Sequence, residues 1–187
     1  MTATMGVMRP SDASSRKAHF KLNYQRWRLR LNPADHNDCP KLELSGLGNR
    51  RAVEVLAELV RQKDPTILFL METKFSVREI EPIKTELGYP SMLAVSSEGR
   101  KGGLALFWAA GVVVDTQTYS PNHIDANIYM QNSPSWRLTG VYGHPEEEQK
   151  AKTWRLMRHL HACGTLPWLC LGDFNEILSS VDFVLDR

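Results

Sequence analysis

The sequence predicts an α/β fold in which helices cover a buried sheet, and two adjacent features carry that prediction. Four apolar residues recur at helical spacing, namely Val53, Leu56, Ala57 and Val60. Asp64-Pro65 ends this pattern, and the unbroken apolar run 66–71 follows at once. Such a run is typical of a strand that is buried on both faces. A helix joined directly to a buried strand is the repeating unit of a layered α/β domain.

The rest of the chain supplies further elements. Ser76 and Glu79 have the spacing of a capping box and predict a second helix that ends before Gly88, with Pro82 bending it or delaying its start. Beyond Tyr89 the apolar residues alternate with a period of two, which predicts an antiparallel meander. Its expected strands span 92–95, 103–108, 112–119, 124–130 and 136–142. A third helix is expected over 146–162, followed by a buried strand over 168–172.

Composition limits the class of protein. The 187 residues are 42% hydrophobic and 24% charged, which fits one globular domain. The net charge of +2 gives no global electrostatic argument for nucleic acid or membrane, and the longest apolar run, 103–114, is shorter than the roughly 20 residues of a membrane span. The three cysteines have no C-x-x-C spacing and predict neither a disulfide framework nor a zinc site. We therefore expect an intracellular protein, nuclear or cytoplasmic, with no membrane association.

Residues 1–40 are expected to form a mobile, basic extension. They show little periodicity and lack the apolar core of a secretory signal. Six cations stand there with no acidic residue between them: Arg16, Lys17, Lys21, Arg26, Arg28 and Arg30. A transit peptide, a nucleic-acid-binding arm and a weakly basic leader without a specific role all remain open for this stretch.

Two carboxylates follow apolar strands directly. Glu72 comes after the run 66–71, and Asp173 comes after 168–172. The carboxyl ends of strands form the ligand crevice in layered α/β folds, and carboxylates there can hold a hard cation such as Mg²⁺. Asn175 lies two residues beyond Asp173, so on extended backbone its amide would point to the same face and could stabilise charge on a phosphoryl oxygen. Gly172 to Asn175 can equally be a simple turn.

Four motifs in one order connect these residues to a known family. They are ETK (72–74), GGLALFW (102–108), WRLTGVYGHP (136–145) and PWLCLGDFNE (167–176). Together they resemble the endonuclease/exonuclease/phosphatase family, and in particular the endonuclease of plant-type LINE (non-LTR) retrotransposons. The resemblance implies a partial four-layer α/β sandwich, with two central mixed or antiparallel sheets flanked by helices. It places that domain at residues 41–178 and leaves 179–187 as an unmatched tail.

The same resemblance implies Mg²⁺- or Mn²⁺-dependent cleavage of DNA, with no small-molecule cofactor and no identified protein partner. By position, Glu72 would be the metal ligand and Asp173 would orient or deprotonate the attacking water. Asn175 would contact the scissile phosphate. Tyr142 and His144 would lie at the rim of the cleft as candidate phosphate contacts, although His144 can equally be a loop histidine with no role.

Two departures from the family pattern predict weak activity or none. Glu43 stands where the family has a metal-binding Asn, and no histidine follows His161 to supply the family's terminal Asp-His pair. The sequence is therefore interpreted as an incomplete phosphodiesterase domain, truncated at its C-terminal side. The alternatives are a non-catalytic retrotransposon remnant that retains weak nucleic-acid contact, and a phosphatase of the same fold.

Overall fold

The computed structural model describes residues 50–97 and 102–175. In chain order the elements are α1 (Arg50–Lys63), β1 (Ile67–Met71), α2 (Val77–Glu86), β2 (Ser91–Val95), β3 (Leu104–Trp108), β4 (Val112–Ser120), β5 (His123–Met130), β6 (Trp136–Tyr142), α3 (Glu147–Ala162) and β7 (Trp168–Asp173). These elements lie within one or two residues of the positions expected from the sequence. The expectations for Glu43 and for segments 1–40 and 179–187 fall outside the described residues.

The first sheet has β3 at its centre, between β1 and β2, and both pairings are antiparallel. Ile67 pairs with Trp108 at one end of β1, and Met71 pairs with Leu104 at the other. All five residues of β1 are buried, as its unbroken apolar run predicted.

The second sheet has the order β4-β5-β6-β7. Its pairings are antiparallel except for β6 and β7, which are parallel because α3 carries the chain back across the sheet. The antiparallel meander expected over residues 92–142 is therefore divided, with β2 and β3 in the first sheet and β4, β5 and β6 in the second. Both sides of β3 are already occupied by β1 and β2, so β4 starts a separate sheet after the turn at Gly111, where φ is +84°.

Four layers result, which confirms the expected α/β sandwich. The even-numbered residues Leu68 and Leu70 of β1 pack under α1 and α2, while Ile67, Phe69 and Met71 face the second sheet. On the far side of the second sheet, Val141, Cys170 and Phe174 pack against α3. Burial of alternate residues on both faces of each sheet fixes the strand registers, because a slip by one residue would reverse both faces.

Helix α2 begins with the capping box that the sequence predicts. Ser76 accepts a hydrogen bond from the Glu79 backbone, and the Glu79 side chain accepts one from the Ser76 backbone. The helix begins at Val77, so Pro82 does not delay its start. Leu87 caps the other end, and Gly88 follows with φ +79°, a conformation that glycine adopts at little cost.

A buried ion pair connects α3 to the outer face of the second sheet. Arg137 donates to both carboxylate oxygens of Asp125, at 2.9 and 2.8 Å, and to the Leu160 carbonyl near the end of α3 at 2.6 Å. Thr139 donates to Asp125 at 2.5 Å and accepts from the Trp168 indole at 2.8 Å. Every charged atom of the pair thus has a partner, which a pair in a low-dielectric interior requires.

None of the described helices combines the length and the apolar character that a membrane span needs.

We expect Arg137→Met to lower the free energy of unfolding by about 3 kcal/mol or more, because Asp125 would remain buried as an unpaired charge. The double variant Arg137→Met/Asp125→Leu should regain much of this loss. Urea unfolding followed by circular dichroism measures both. The control Arg50→Met breaks an exposed ion pair with Glu54 and should change stability by about 0.5 kcal/mol or less. Equal effects of the two single variants would contradict this interpretation of the buried pair.

Candidate active site

Three strands end at the same edge of the sandwich and bring their last polar residues together. Glu72 follows β1 directly, Tyr142 is the last residue of β6, and Asp173 is the last residue of β7. Tyr142 and Asp173 are register partners in parallel strands and therefore share a face. Two residues earlier, the partners Gly140 and Leu171 lie on that same face, and Leu171 belongs to the core between the sheets. The shared face is the one that looks toward the first sheet.

The sheets come close at this end because Gly140 has no side chain. A Cβ atom on Gly140 would overlap the ring of Phe69, which projects from β1. With the ring seated against that backbone, the ends of β1 and β6 lie within reach of each other. The Tyr142 hydroxyl donates a hydrogen bond of 2.5 Å to Oε1 of Glu72. This bond joins the two sheets at their carboxyl-terminal edge.

Two hydrogen bonds join the loops after β6 and β7, and a third lies within the loop after β7. The Gly143 amide donates to the Asp173 carbonyl at 2.6 Å, and Nδ2 of Asn175 donates to the Gly143 carbonyl at 2.6 Å. The Asn175 amide donates to Oδ1 of Asp173 at 2.8 Å. Residues 173–175 thus form the turn that the sequence left open. The expected extended backbone is wrong here, since Asn175 has φ +51°.

Unusual backbone conformations gather at these loops. Five non-glycine residues in the described part of the chain have positive φ, and three of them are Glu72, Lys74 and Asn175. Positive φ is uncommon for side chains other than Asn and Asp, and such residues concentrate at functional sites. The amides of Thr73 and Lys74 donate to the carbonyls of Gly103 and Gly102, which holds the strained turn after β1 in place.

Tyr142 is the electrostatic centre of the site. Burial raises the pKa of its hydroxyl well above the ordinary value, and the hydrogen bond and negative charge of Glu72 and the charge of Asp173 raise it further. The Asn175 side chain is the neighbour that opposes this rise in pKa. Glu72 bonds this hydroxyl group, and Asp173 lies beside Tyr142 as its register partner on β7, with Asn175 two residues further along the chain. These are the residues that the sequence singled out.

His144 lies at the rim. Its backbone amide donates to Oγ1 of Thr153 on α3 at 3.1 Å, and Thr153 is buried. Among the described residues, the imidazole of His144 forms no hydrogen bond, so the structure does not join this side chain to the cluster around Tyr142. Lys74 is exposed.

Sequence reasoning missed Asn122, which supports Tyr142 from the β4–β5 turn. Its side chain donates to the Tyr142 carbonyl at 2.8 Å, and the Tyr142 amide donates to the Asn122 carbonyl at 2.8 Å. The neighbouring His123 is buried and bonded to the Ser120 and Thr118 hydroxyls, and burial lowers its pKa. The Ser-Pro-Asn sequence at residues 120–122 is typical of a turn, and nothing in it connects Asn122 to Tyr142.

The donor atoms of this cluster suit a hard cation. The described residues contain no group of three or more His, Cys, Asp or Glu side chains arranged to hold a metal. The polar side chains around Tyr142 nevertheless offer oxygen donors from two carboxylates, an amide and a phenol. Mg²⁺ binds oxygen and commonly takes one or two protein carboxylates, with water and substrate phosphate completing its shell. Glu72 and Asp173 fit that requirement by chemistry and number.

We expect Tyr142→Phe to lower stability by about 1 kcal/mol at neutral pH, because a hydrogen bond to a half-buried carboxylate is lost. The raised pKa of Tyr142 also predicts a pH effect. The folded protein retains a proton that the unfolded chain loses above about pH 10, so this contribution to stability is present below that pH and is lost as the pH rises.

The alkaline loss of stability should therefore be shallower in Tyr142→Phe than in the native chain. Urea unfolding at a series of pH values measures it. Tyr129→Phe, at an exposed tyrosine, is the matched control and should follow the native curve. Identical curves for native and Tyr142→Phe would contradict the assignment.

Comparisons with known proteins agree with this architecture. The AP endonuclease of Archaeoglobus fulgidus is similar with a TM-score of 0.52 and 19% identity, over 67% of this chain and 53% of that one. TDP2 of Caenorhabditis elegans is similar with a TM-score of 0.53 and 17% identity, over 75% of this chain and 48% of that one. The chain therefore spans about half the length of these proteins, and the likeness shows the fold. No curated protein sequence matches the chain.

The sequence profile of the Endonuclease/Exonuclease/phosphatase family matches residues 27–187, which is most of the chain. The chain belongs to the endonuclease/exonuclease/phosphatase family.

Proposed function

We propose that this domain is built to hydrolyse phosphodiester bonds of DNA with the help of a bound Mg²⁺ or Mn²⁺ ion. The observation that carries the proposal is the Tyr142–Glu72 hydrogen bond, which joins the ends of the two sheets beside Asp173 and Asn175. Two carboxylates, an amide and a phenol at one cleft are the groups that metal-assisted phosphoryl chemistry uses. The solved relatives include an enzyme described as an AP endonuclease, which supports a nucleic-acid substrate.

Each residue has a distinct task in this proposal. Glu72 holds the cation, which when bound withdraws charge from the phosphate oxygens. Asp173 uses one carboxylate oxygen to fix the Asn175 amide, and its other oxygen is available to orient a water molecule and accept its proton. As the water oxygen bonds to phosphorus, the bond to the leaving oxygen breaks.

Asn175 and Tyr142 act on the phosphate. The amide nitrogen of Asn175 has two hydrogens, and one of them is used by the Gly143 carbonyl. The second interacts with the Tyr142 hydroxyl and lowers the pKa of that group, and in this proposal it turns to a phosphoryl oxygen where charge develops. Tyr142, protonated at all ordinary pH values because its pKa is raised, remains a hydrogen-bond donor. His144 would contact the neighbouring phosphate from the rim.

The finer proposal is descent from a LINE-type endonuclease, and it rests on the four motifs and their order. Those motifs favour DNA over small phosphoesters, which a phosphatase of the same fold would take. A DNA substrate would place the protein in the nucleus or, during assembly with other components, in the cytoplasm.

We further propose that these 187 residues by themselves cleave DNA weakly or not at all. Glu43 replaces an amide with a longer, charged side chain, and among the described residues no histidine side chain bonds Asp173. A general base or acid contributes about 10²- to 10⁴-fold to rate. When catalytic residues act as a unit, removing one of them can lower the rate nearly as much as removing all of them.

Cation binding can be tested apart from cleavage. Glu72→Gln should weaken Mn²⁺ binding on the order of 10-fold or more, as read by electron paramagnetic resonance of free Mn²⁺. Glu81→Gln makes the same chemical change on the exposed face of α2 and should bind like the native chain. Equal affinities of Glu72→Gln and Glu81→Gln would remove Glu72 from the metal site.

Cleavage is tested with supercoiled plasmid and Mg²⁺, comparing the native chain with stepwise restorations. The restorations are Glu43→Asn, a C-terminal segment grafted from a complete family member, and both together. We expect nicking only where the graft is present, and its loss again on Asp173→Ala. The electrophoretic conversion of supercoiled to open-circular DNA measures the rate.

Two results would contradict parts of this proposal. Nicking by the native chain that Asp173→Ala abolishes would show that the site is right and the expected weakness is wrong. Nicking in the grafted protein that survives Asp173→Ala would show that the site itself is wrong.

A further inference from the structure

One side of α3 carries cations that nothing in the described structure neutralises. Lys152, Arg155 and Arg158 are exposed and lie along one stripe of the helix, with the exposed and formally neutral His159 beside them, opposite the buried Thr153 and Leu160. We call this stripe the α3 basic face. Glu148 lies at its N-terminal end, so the basic residues begin at Lys152.

Ion pairs neutralise several of the surface cations on the other two helices. On α1, Arg50 pairs with Glu54 and Arg61 pairs with Glu58, and on α2, Lys84 pairs with Glu81. On α3, Lys150 pairs with Glu147, but Lys152 bonds only the neutral amide of Gln149, and Arg155 and Arg158 have no acidic partner among the described residues.

The sequence around the α3 basic face explains the difference. Residues 149–172 contain no aspartate or glutamate. Because the whole chain carries a net charge of only +2, positive potential is concentrated on this face rather than spread over the protein.

The α3 basic face lies on the helix that contacts the loop after β6, which belongs to the candidate active site. Thr153, next to Lys152 in sequence, accepts a hydrogen bond from the His144 amide at the rim of the cleft. From there α3 runs along the outer face of the second sheet to the Leu160 carbonyl, which Arg137 binds. A polyanion that extends out of the cleft over His144 would reach Lys152 first and then the arginines.

We infer that the α3 basic face binds the sugar-phosphate backbone of duplex DNA next to the bond held in the cleft. The inference rests on the proposed function for the identity of the polyanion. From Lys152 to His159 the helix rises roughly 10 Å at about 1.5 Å per residue. That distance corresponds to about three nucleotide steps of 3.4 Å along one strand. Contacts of this kind fix the position of the duplex without reading its sequence.

A membrane surface fits the same face poorly. Peripheral helices bind bilayers by burying large apolar residues beside their cations. The fully exposed apolar neighbours of the α3 basic face are Ala151 and Ala162, which are small, and the large flanking residues Trp154 and Leu156 are half-buried. DNA phosphates need only the cations.

The test measures binding of the full chain to a fluorescently labelled 20-base-pair duplex, by anisotropy, over a series of NaCl concentrations with EDTA present. EDTA binds the divalent cations that the proposed cleavage needs, so the measured binding does not depend on catalysis. The variant is Arg155→Gln/Arg158→Gln. The control, Arg50→Gln/Arg61→Gln, removes the same charge from the exposed side of α1.

We expect the α3 variant to bind more weakly and its plot of log affinity against log salt to be shallower by about 1.8, since each lost phosphate contact removes about 0.9. The α1 control should keep the native slope. Circular dichroism and the thermal midpoint establish that both variants are folded. A native slope in the α3 variant, or an equal change in the α1 control, would overturn the inference.

Two further measurements separate this inference from its alternatives. Sedimentation with vesicles containing phosphatidylserine tests the membrane, and vesicle binding that the α3 variant loses while its DNA binding stays native would overturn the inference. A shallower slope in the α3 variant, together with no cleavage by any grafted protein, would mean that the α3 basic face binds DNA while the proposed catalytic function fails.

Discussion

The contact between the Phe69 ring and the bare backbone of Gly140 sets the distance between the two sheets where the candidate site lies. A side chain of any size on residue 140 would overlap the ring. The sheets would then separate at the edge where Glu72 and Tyr142 must meet. Because protein interiors are packed as densely as organic crystals, such a separation cannot be absorbed locally. The Tyr142–Glu72 hydrogen bond is thus a consequence of how the inter-sheet core is packed.

Support from the other side of the second sheet complements this contact. The Asp125–Arg137 pair and the stacking of Trp154 on Phe174, with ring centroids 5.8 Å apart, both hold α3 to the sheet. Phe174 lies between Asp173 and Asn175. Its backbone lies so close to Gly143 that a Cβ atom on residue 143 would overlap the Phe174 carbonyl group. The site loops are therefore fixed from the outer layer as well as from the core, which suits the set geometry that the proposed phosphoryl chemistry needs.

Sequence patterns were sufficient for the elements and insufficient for their arrangement. The apolar run of β1, the Ser76–Glu79 capping box and the alternation of β6 are local signals, and each produced the expected element within two residues. Division of the strands between two sheets depends on which strands compete for the sides of β3, and alternation carries no information about that competition. The extended backbone expected at Asn175 failed for a similar reason. The Asp173 carboxylate bonds the Asn175 amide, and this local bond outweighs continuation of the strand.

The candidate site shows the same division between motif and geometry. Glu72, Asp173 and Asn175 could be named from the sequence because each follows a recognisable strand, and the structure gathers them around one hydroxyl group. Tyr142 was expected only at the rim, since no spacing rule links a residue in one sheet to a carboxylate 70 positions earlier in the other. Asn122 carried no signal, because its role is to bond the backbone of Tyr142.

Residues with strained backbone conformations lie at the candidate site, where their side chains could contact a ligand. Glu72 holds a left-handed conformation that costs about 1 kcal/mol or more for such a side chain, and it does so within hydrogen-bond reach of Tyr142. Relaxing φ at Glu72 would turn its carboxylate away from the phenol and leave that buried hydroxyl without its acceptor, at a cost of similar size. The strain and the hydrogen bond therefore maintain each other. A cation that replaces the phenol as the partner of Glu72 would therefore bind a carboxylate that is already oriented toward the candidate site.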